Sequence, residues 1–172
     1  MKIAVAGLGY VGLSNAALLA QNHTVVGTDI SQALIDKVNA GRSPIIDPEL
    51  QNFLAHKTLK LSATADYKKA YATADFIIVA TPTNYNPETN YFDTSSVESV
   101  IGIVRQLNPN GTIVVKSTVP VGFTRKMREQ FDTNRVLFSP EFLREGRALY
   151  DNLYPSRIIV GDQGRDAQQF AD

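Results

Sequence analysis

The chain opens on a short apolar run, Lys2–Ala6, and breaks at once into Gly7, Gly9 and Gly12 at G-x-G-x-x-G spacing. No other feature constrains the fold as strongly. An apolar run, a glycine-rich turn and a helix-like stretch through Leu18 and Leu19 read as the first strand, turn and helix of a doubly wound sheet. Further strand-like runs follow at Thr24–Thr28, Leu59–Ala63, Asp75–Ala80, Thr112–Lys116, Arg135–Phe138 and Arg157–Val160. Most are rich in Ile and Val and lack polar alternation, the pattern of strands buried on both faces of a parallel sheet. Helix-like segments lie between them. The clearest follows Asp93: Ser95 and Glu98 have capping-box spacing, and Val97, Val100, Ile101, Val104 and Leu107 form one apolar stripe. Asn108-Pro109-Asn110-Gly111 then ends the helix and turns the chain. The alternation predicts an α/β fold, doubly wound, with a mainly parallel sheet and helices on both faces. The 172 residues suit one such domain.

Ligands of these folds bind at the carboxyl ends of the strands, so chemistry is sought there. Each glycine of the first turn has a role in a Rossmann-type dinucleotide site. Gly7 allows the tight turn, Gly9 admits a pyrophosphate close to the backbone, and Gly12 lets helix and strand pack. The helix N-terminus offers N–H groups and partial positive charge to phosphates. Asp29 ends the second run at the spacing where an acid meets the adenosine ribose. Its carboxylate would repel the 2′-phosphate of NADP, and Ile30, Ser31 and Gln32 provide no arginine for that phosphate. The expected cofactor is NAD. Asp29 or Ser31 could also cap the next helix, and the two roles are compatible. FAD and S-adenosylmethionine sites use similar turns, so the glycine motif alone does not name the reaction.

Three strand ends carry polar residues that a plain core does not require: Thr81-Pro82-Thr83-Asn84-Tyr85, Lys116-Ser117-Thr118-Val119-Pro120-Val121-Gly122, and Ser139-Pro140-Glu141-Phe142-Leu143-Arg144-Glu145-Gly146. Turn chemistry explains such residues equally well one segment at a time; their shared placement favours function. If the third segment is helical, Glu141 and Glu145 share one face at i,i+4. They form either a solvated surface pair or the carboxylates of acid–base chemistry. His23 and His56 lack ligand spacing to a second metal-binding group and read as surface residues, so no metal is assigned. Lys+Arg and Asp+Glu both number 17, which removes a general electrostatic case for nucleic acid or an anionic membrane. No apolar run is long enough to suggest a membrane span. The absence of cysteine excludes a thiol nucleophile within these residues and fits a reducing cytoplasm.

Taken together, these motifs resemble the UDP-sugar dehydrogenase family from Met1 to about Gly161. The resemblance rests on the opening Ala6-Gly7-Leu8-Gly9-Tyr10-Val11-Gly12-Leu13, the three strand-end segments, Tyr91-Phe92-Asp93-Thr94, and Ala148-Leu149-Tyr150-Asp151-Asn152-Leu153-Tyr154-Pro155-Ser156-Arg157. It implies an enzyme that oxidises the C6 alcohol of UDP-glucose to a carboxylate with two NAD, through aldehyde, thiohemiacetal and thioester stages on a cysteine. By the same resemblance Gly7, Gly9, Tyr10, Val11, Gly12, Asp29, Thr83, Thr118 and Glu145 line the NAD site. Thr118 helps hold a catalytic water, Glu141 serves thioester hydrolysis, and Glu145 lies by the active site. Glu141, Phe142, Leu143, Arg144 and Tyr150 face the sugar nucleotide. The family's nucleophilic cysteine, its oxyanion-stabilising lysine and asparagine, and its dimerisation region belong to later domains with no counterpart among these 172 residues. The expectation is therefore half a site: NAD binding without turnover here, and UDP-glucose oxidation in a homodimeric parent. Alternatives are a dehydrogenase of another nucleotide sugar, such as GDP-mannose or UDP-N-acetylmannosamine, or a non-catalytic NAD-binding module. The strand-end motifs disfavour a Rossmann methyltransferase.

Overall fold

Apolar runs without polar alternation gain most by burying both faces, and the chain does this with one central parallel sheet. A computed structural model describes residues 1–88 and 90–172. In chain order the strands are β1 (Lys2–Ala6), β2 (Thr24–Thr28), β3 (Leu61–Thr64), β4 (Phe76–Val79), β5 (Asn84–Asn86), β6 (Tyr91–Asp93), β7 (Thr112–Val115) and β8 (Val136–Phe138). The helices are α1 (Tyr10–Leu19), α2 (Gln32–Asn39), α3 (Pro48–His56), α4 (Tyr67–Ala72), α5 (Ser95–Leu107), α6 (Phe123–Gln130), α7 (Ala148–Leu153) and α8 (Arg165–Ala171). The main sheet has the order β3-β2-β1-β4-β7-β8 and is parallel throughout. The order reverses between β1 and β4, which opens a crevice at their carboxyl ends.

Alternate residues of the strands feed two cores. Ala4, Ala6, Ile77, Val79, Ile113 and Val115 pack against α4, α5 and α6. Ile3, Val5, Phe76, Ile78 and Val114 face α1 and α8. A third cluster joins α1 to α2, α3 and α7 through Leu8, Leu13, Ile35, Leu50 and Leu149. Among the described residues no helix is long and apolar enough to cross a membrane.

The structure corrects five local expectations. Arg157–Val160 forms no strand: Gly161 N–H donates to Phe138 O (2.8 Å), but Arg157, Ile158 and Ile159 remain exposed and of this run Val160 alone packs against the core, too little burial to stabilise a strand. The third strand begins at Leu61 rather than Leu59. The cap of α5 shifts by one residue to Thr94, whose hydroxyl donates to Glu98 Oε1 (2.8 Å), while Asp93 Oδ1 accepts the Ser95 N–H. The apolar stripe of α5 is buried at Val97, Ile101 and Val104, but Leu107 reaches solvent at the helix end. Finally, Glu141–Glu145 is not helical. The chain there runs irregularly into a turn in which Gly146 takes φ +79°.

Asp47 fastens two helices that flank the site. It is 2% exposed; Oδ1 accepts the Leu50 N–H of α3 (3.0 Å) and Oδ2 accepts the Leu149 N–H of α7 (3.2 Å). Asp47 followed by Pro48 is a helix-start signal legible in the sequence; the second attachment, 102 residues away, is not. Asp47→Ala removes one cap and strands a buried N–H, and is expected to destabilise the fold by about 2–4 kcal/mol. Urea denaturation checks this, with Asp47→Asn, which retains an acceptor, losing less.

Candidate cofactor and active site

The first βα turn is shaped by contacts that exclude side chains. A Cβ on Gly12 would lie 1.8 Å from Gly7 O, and one on Gly7 would lie 2.7 Å from Ala80 O across the β1–β4 crevice. Gly7 also holds φ +88°, where L side chains are strained. Gly9 faces open space. Its carbonyl accepts the Leu13 N–H (2.9 Å), and no side chain caps α1. The N–H groups of Tyr10, Val11 and Gly12 have no acceptor within their own helix. Open space above a glycine, beside unsatisfied donors at a helix N-terminus, fits the pyrophosphate of a dinucleotide.

Asp29 follows β2 and is held in place by the backbone. Leu8 N–H donates to Oδ2 (2.9 Å) and Ser31 N–H to Oδ1 (2.9 Å), so the carboxylate is tied directly to the glycine turn. Ser31 caps α2 through a long Leu34 N–H contact (3.4 Å). The cap of α2 thus falls on Ser31, and Asp29 is free of that role. Beneath them, the Thr28 hydroxyl and the Tyr71 phenol pair at 2.8 Å, and burial pushes the Tyr71 pKa up.

The ends of β4 and β7 are cross-linked. Ser117 Oγ donates to Thr81 O (2.6 Å), Thr83 Oγ1 donates to Thr118 O (2.8 Å), and Ser96 Oγ donates to Pro82 O (2.8 Å). These bonds hold Thr83 and Thr118 together, with the Thr118 side chain exposed. The polar residues of these strand ends therefore build the rim of the crevice. Asn84–Asn86 and Tyr91–Asp93 add a small antiparallel hairpin there, with the Tyr85 and Phe92 rings 4.8 Å apart. Its strands are too short and polar to give a hydrophobic pattern.

After β8 the chain separates the two glutamates. Glu141 turns inward: Lys116 Nζ lies 2.5 Å from Oε1, and Asn15 Nδ2 donates to the same oxygen (3.0 Å). Glu145 is exposed in the following turn. Phe142 is exposed, with the Arg157 guanidinium 4.5 Å from its ring, and Leu143 is half-buried. Tyr150 stacks on Tyr154 at 4.9 Å, and the Arg147 guanidinium lies 4.7 Å from its ring. Asp29, the strand-end threonines and Glu141 thus all stand at the carboxyl edge of one sheet.

Residues 1–172, the whole chain, match the UDP-glucose/GDP-mannose dehydrogenase family, NAD binding domain. The chain belongs to this family. It is 50% identical to the UDP-glucose 6-dehydrogenase of Streptococcus pneumoniae, with all of this chain aligned to 45% of that protein. It is 47% identical to the UDP-glucose 6-dehydrogenase of Campylobacter jejuni, with 95% of this chain aligned to 42% of that protein. Among solved structures, a ternary complex of GDP-mannose dehydrogenase from Pseudomonas aeruginosa superposes with a TM-score of 0.86 at 30% identity, over 99% of this chain and 43% of that one. A UDP-glucose dehydrogenase from Pyrobaculum islandicum gives 0.84 at 34%, over 98% and 42%. The chain spans less than half the length of these relatives, and it carries the NAD-binding domain of the family.

Two partners of the family's glutamate segment escaped sequence reasoning. Lys116 ends an otherwise apolar strand, and Asn15 interrupts the buried run Leu13, Ala16, Ala17 of α1. A polar residue at a core position signals a hydrogen-bond partner but does not name it. Arg144, expected to face a sugar nucleotide, is engaged within the chain: its N–H, Nε and Nη2 all donate to Asp151, the last at 2.6 Å.

These hydrogen bonds from Arg144 lower the Asp151 pKa to about 2. The folded value lies below the unfolded one of about 3.9, so this clasp contributes stability above pH ~4 and loses it as pH falls toward 2. Carboxyl NMR is expected to give an Asp151 midpoint near 2. Arg144→Ala is expected to move it up toward the ordinary aspartate value.

Proposed function

We propose that this chain is the NAD-binding half of a UDP-glucose 6-dehydrogenase that converts the sugar's C6 alcohol to a carboxylate in two oxidations. The observation that carries this reading is the Asp29 carboxylate, tied by both oxygens to the backbone beside a glycine turn with room for a pyrophosphate. The identities to two UDP-glucose 6-dehydrogenases support UDP-glucose over GDP-mannose as substrate.

NAD, when bound, accepts the hydride of each oxidation. Gly7, Gly9 and Gly12, with the amides of Tyr10 and Val11, hold the pyrophosphate, and Asp29 accepts hydrogen bonds from the ribose hydroxyls. Thr83 and Thr118 line the crevice further along, with Thr118 holding water. Phe142, Leu143, Arg144 and Tyr150 form the wall toward the sugar nucleotide, and Glu145 faces the reaction site. In the final step water attacks a cysteine thioester: the new C–O bond forms, the C–S bond breaks, the sulfur leaves as thiolate, and Glu141 takes the water's proton. These 172 residues contain no cysteine, so the nucleophile comes from outside them. By itself the chain binds NAD and does not turn over. The whole enzyme works as a homodimer in the reducing cytoplasm.

Cofactor choice tests the site. A carboxylate accepting both ribose hydroxyls contributes about 1.5–3 kcal/mol, so Asp29→Ala is expected to weaken NAD binding by roughly 10- to 100-fold. Calorimetry is also expected to show the chain preferring NAD to NADP, with the preference shrinking in Asp29→Ala. Equal or tighter NADP binding by the unaltered chain overturns the assignment.

The step at Glu141 is read in the intact protein. Glu141→Gln keeps the shape and removes the base. With UDP-glucose and NAD it is expected to give an NADH burst and accumulate a covalent adduct, visible by intact-protein mass spectrometry. A fast first hydride transfer with no adduct overturns the role.

A further inference from the structure

Lys116 is a buried cation at the carboxyl end of β7, where nothing in the core calls for a charge. It is 9% exposed, and the residues before it, Ile113, Val114 and Val115, are apolar and buried. Its ammonium meets three acceptors, all on the chain leaving β8: Glu141 Oε1 (2.5 Å), Ser139 Oγ (3.2 Å) and Ser139 O (3.3 Å). The Phe170 ring of α8 lies 5.7 Å from the same nitrogen and closes the pocket on the apolar side. A buried ion pair of this kind is poorly explained by stability, since apolar residues of similar volume often serve as well or better. It does fix one geometry. Asn15 adds the second constraint: from the buried face of α1 its Nδ2 donates to Val11 O (2.8 Å) and to Glu141 Oε1 (3.0 Å). Ser14 beside it is joined to Asn152 of α7 (2.8 Å). The helix whose first turn forms the phosphate cradle thus also grips the segment that follows β8.

We propose that Lys116 and Asn15 are positioning residues for Glu141, engaging Oε1 from two sides so that Oε2 is presented to the water it activates. The proposal rests on the reading of Glu141 as the group that takes the proton in hydrolysis. A base a fraction of an ångström out of place loses most of its effect, so loosening the carboxylate slows the step that needs it and spares the steps that do not. Neither residue touches the reacting atoms; each acts through Glu141.

The test uses the intact protein with UDP-glucose and NAD, following the NADH burst by stopped flow and the covalent adduct by mass spectrometry. Lys116→Met is expected to reproduce Glu141→Gln: a burst near the native rate, hydrolysis slowed by about 10- to 100-fold, and accumulated adduct. Lys116→Arg is expected to restore much of the hydrolysis rate, and the double variant Lys116→Met/Glu141→Gln to be no slower than Glu141→Gln alone. A merely structural role gives the opposite pattern, with burst and hydrolysis falling together and no rescue by arginine; that pattern overturns the proposal, as does hydrolysis at the native rate. If Lys116→Met does not fold, Asn15→Ala decides, with adduct accumulation expected and its absence overturning the proposal. Glu141→Gln separates the two levels. If it accumulates no adduct, the reading of Glu141 falls and this proposal with it. If it accumulates adduct while Lys116→Met or Asn15→Ala does not, this proposal alone falls.

Discussion

The seat of α1 depends on the absence of a side chain at Gly12. A Cβ there would come within 1.8 Å of Gly7 O, far inside van der Waals contact, so any other residue drives helix and strand apart. Three features hang on that contact. The helix N-terminus stays aimed at the crevice where the strand order reverses. Leu8 stays in place to donate to Asp29, and its side chain fills the space over Gly27, where a Cβ would lie 2.5 Å from Leu8 Cδ2. Asn15, three residues after Gly12, reaches Glu141. The glycine turn, Asp29 and the Glu141 segment therefore share one mechanical reference.

The charges at this edge of the sheet divide by solvent access. Arg144 is largely exposed, and its pair with Asp151 orders the loop before α7 at the modest energy typical of surface pairs. Lys116 and Glu141 are both nearly buried, where desolvation offsets much of the attraction and loss of one partner leaves a charge without compensation. The first pair shapes the loop before α7, and the second joins the segments that leave β7 and β8. Around them, the hydroxyls of Ser117 and Thr83 bridge the ends of β4 and β7 and that of Ser96 ties α5 to the end of β4, so the rim gains rigidity without adding net charge.

Sequence reading succeeded where a local pattern has a single physical solution. Apolar runs without alternation marked β1, β2, β4, β7 and β8 within a residue or two, and the glycine spacing marked the tight turn from β1 into α1. It failed where the deciding partner is remote. Arg157–Val160 has the composition of a strand, but its first three residues stay exposed, and the backbone bond to β8 comes from Gly161, just beyond it. Glu141 and Glu145 have helical spacing, but Lys116 and Asn15 draw the first inward while Gly146 turns the chain after the second. The cap of α5 moved to Thr94 because Asp93 was available to take the Ser95 N–H. The hairpin at Asn84–Asn86 and Tyr91–Asp93 is held by cross-strand pairing and one aromatic contact, which leave little trace in three-residue strands.

By itself the sequence determined the class of fold, the glycine turn that opens α1 and the polar residues that close the strand ends. These follow from periodicity, steric size and spacing, properties that neighbouring residues carry along the chain. Only the tertiary structure decided which polar groups meet: Lys116 and Asn15 on Glu141, Asp47 under both α3 and α7, Arg144 on Asp151. Burial compels a polar group to find a partner but does not name it, because packing brings together residues as far apart as Asn15 and Glu141, 126 positions along the chain.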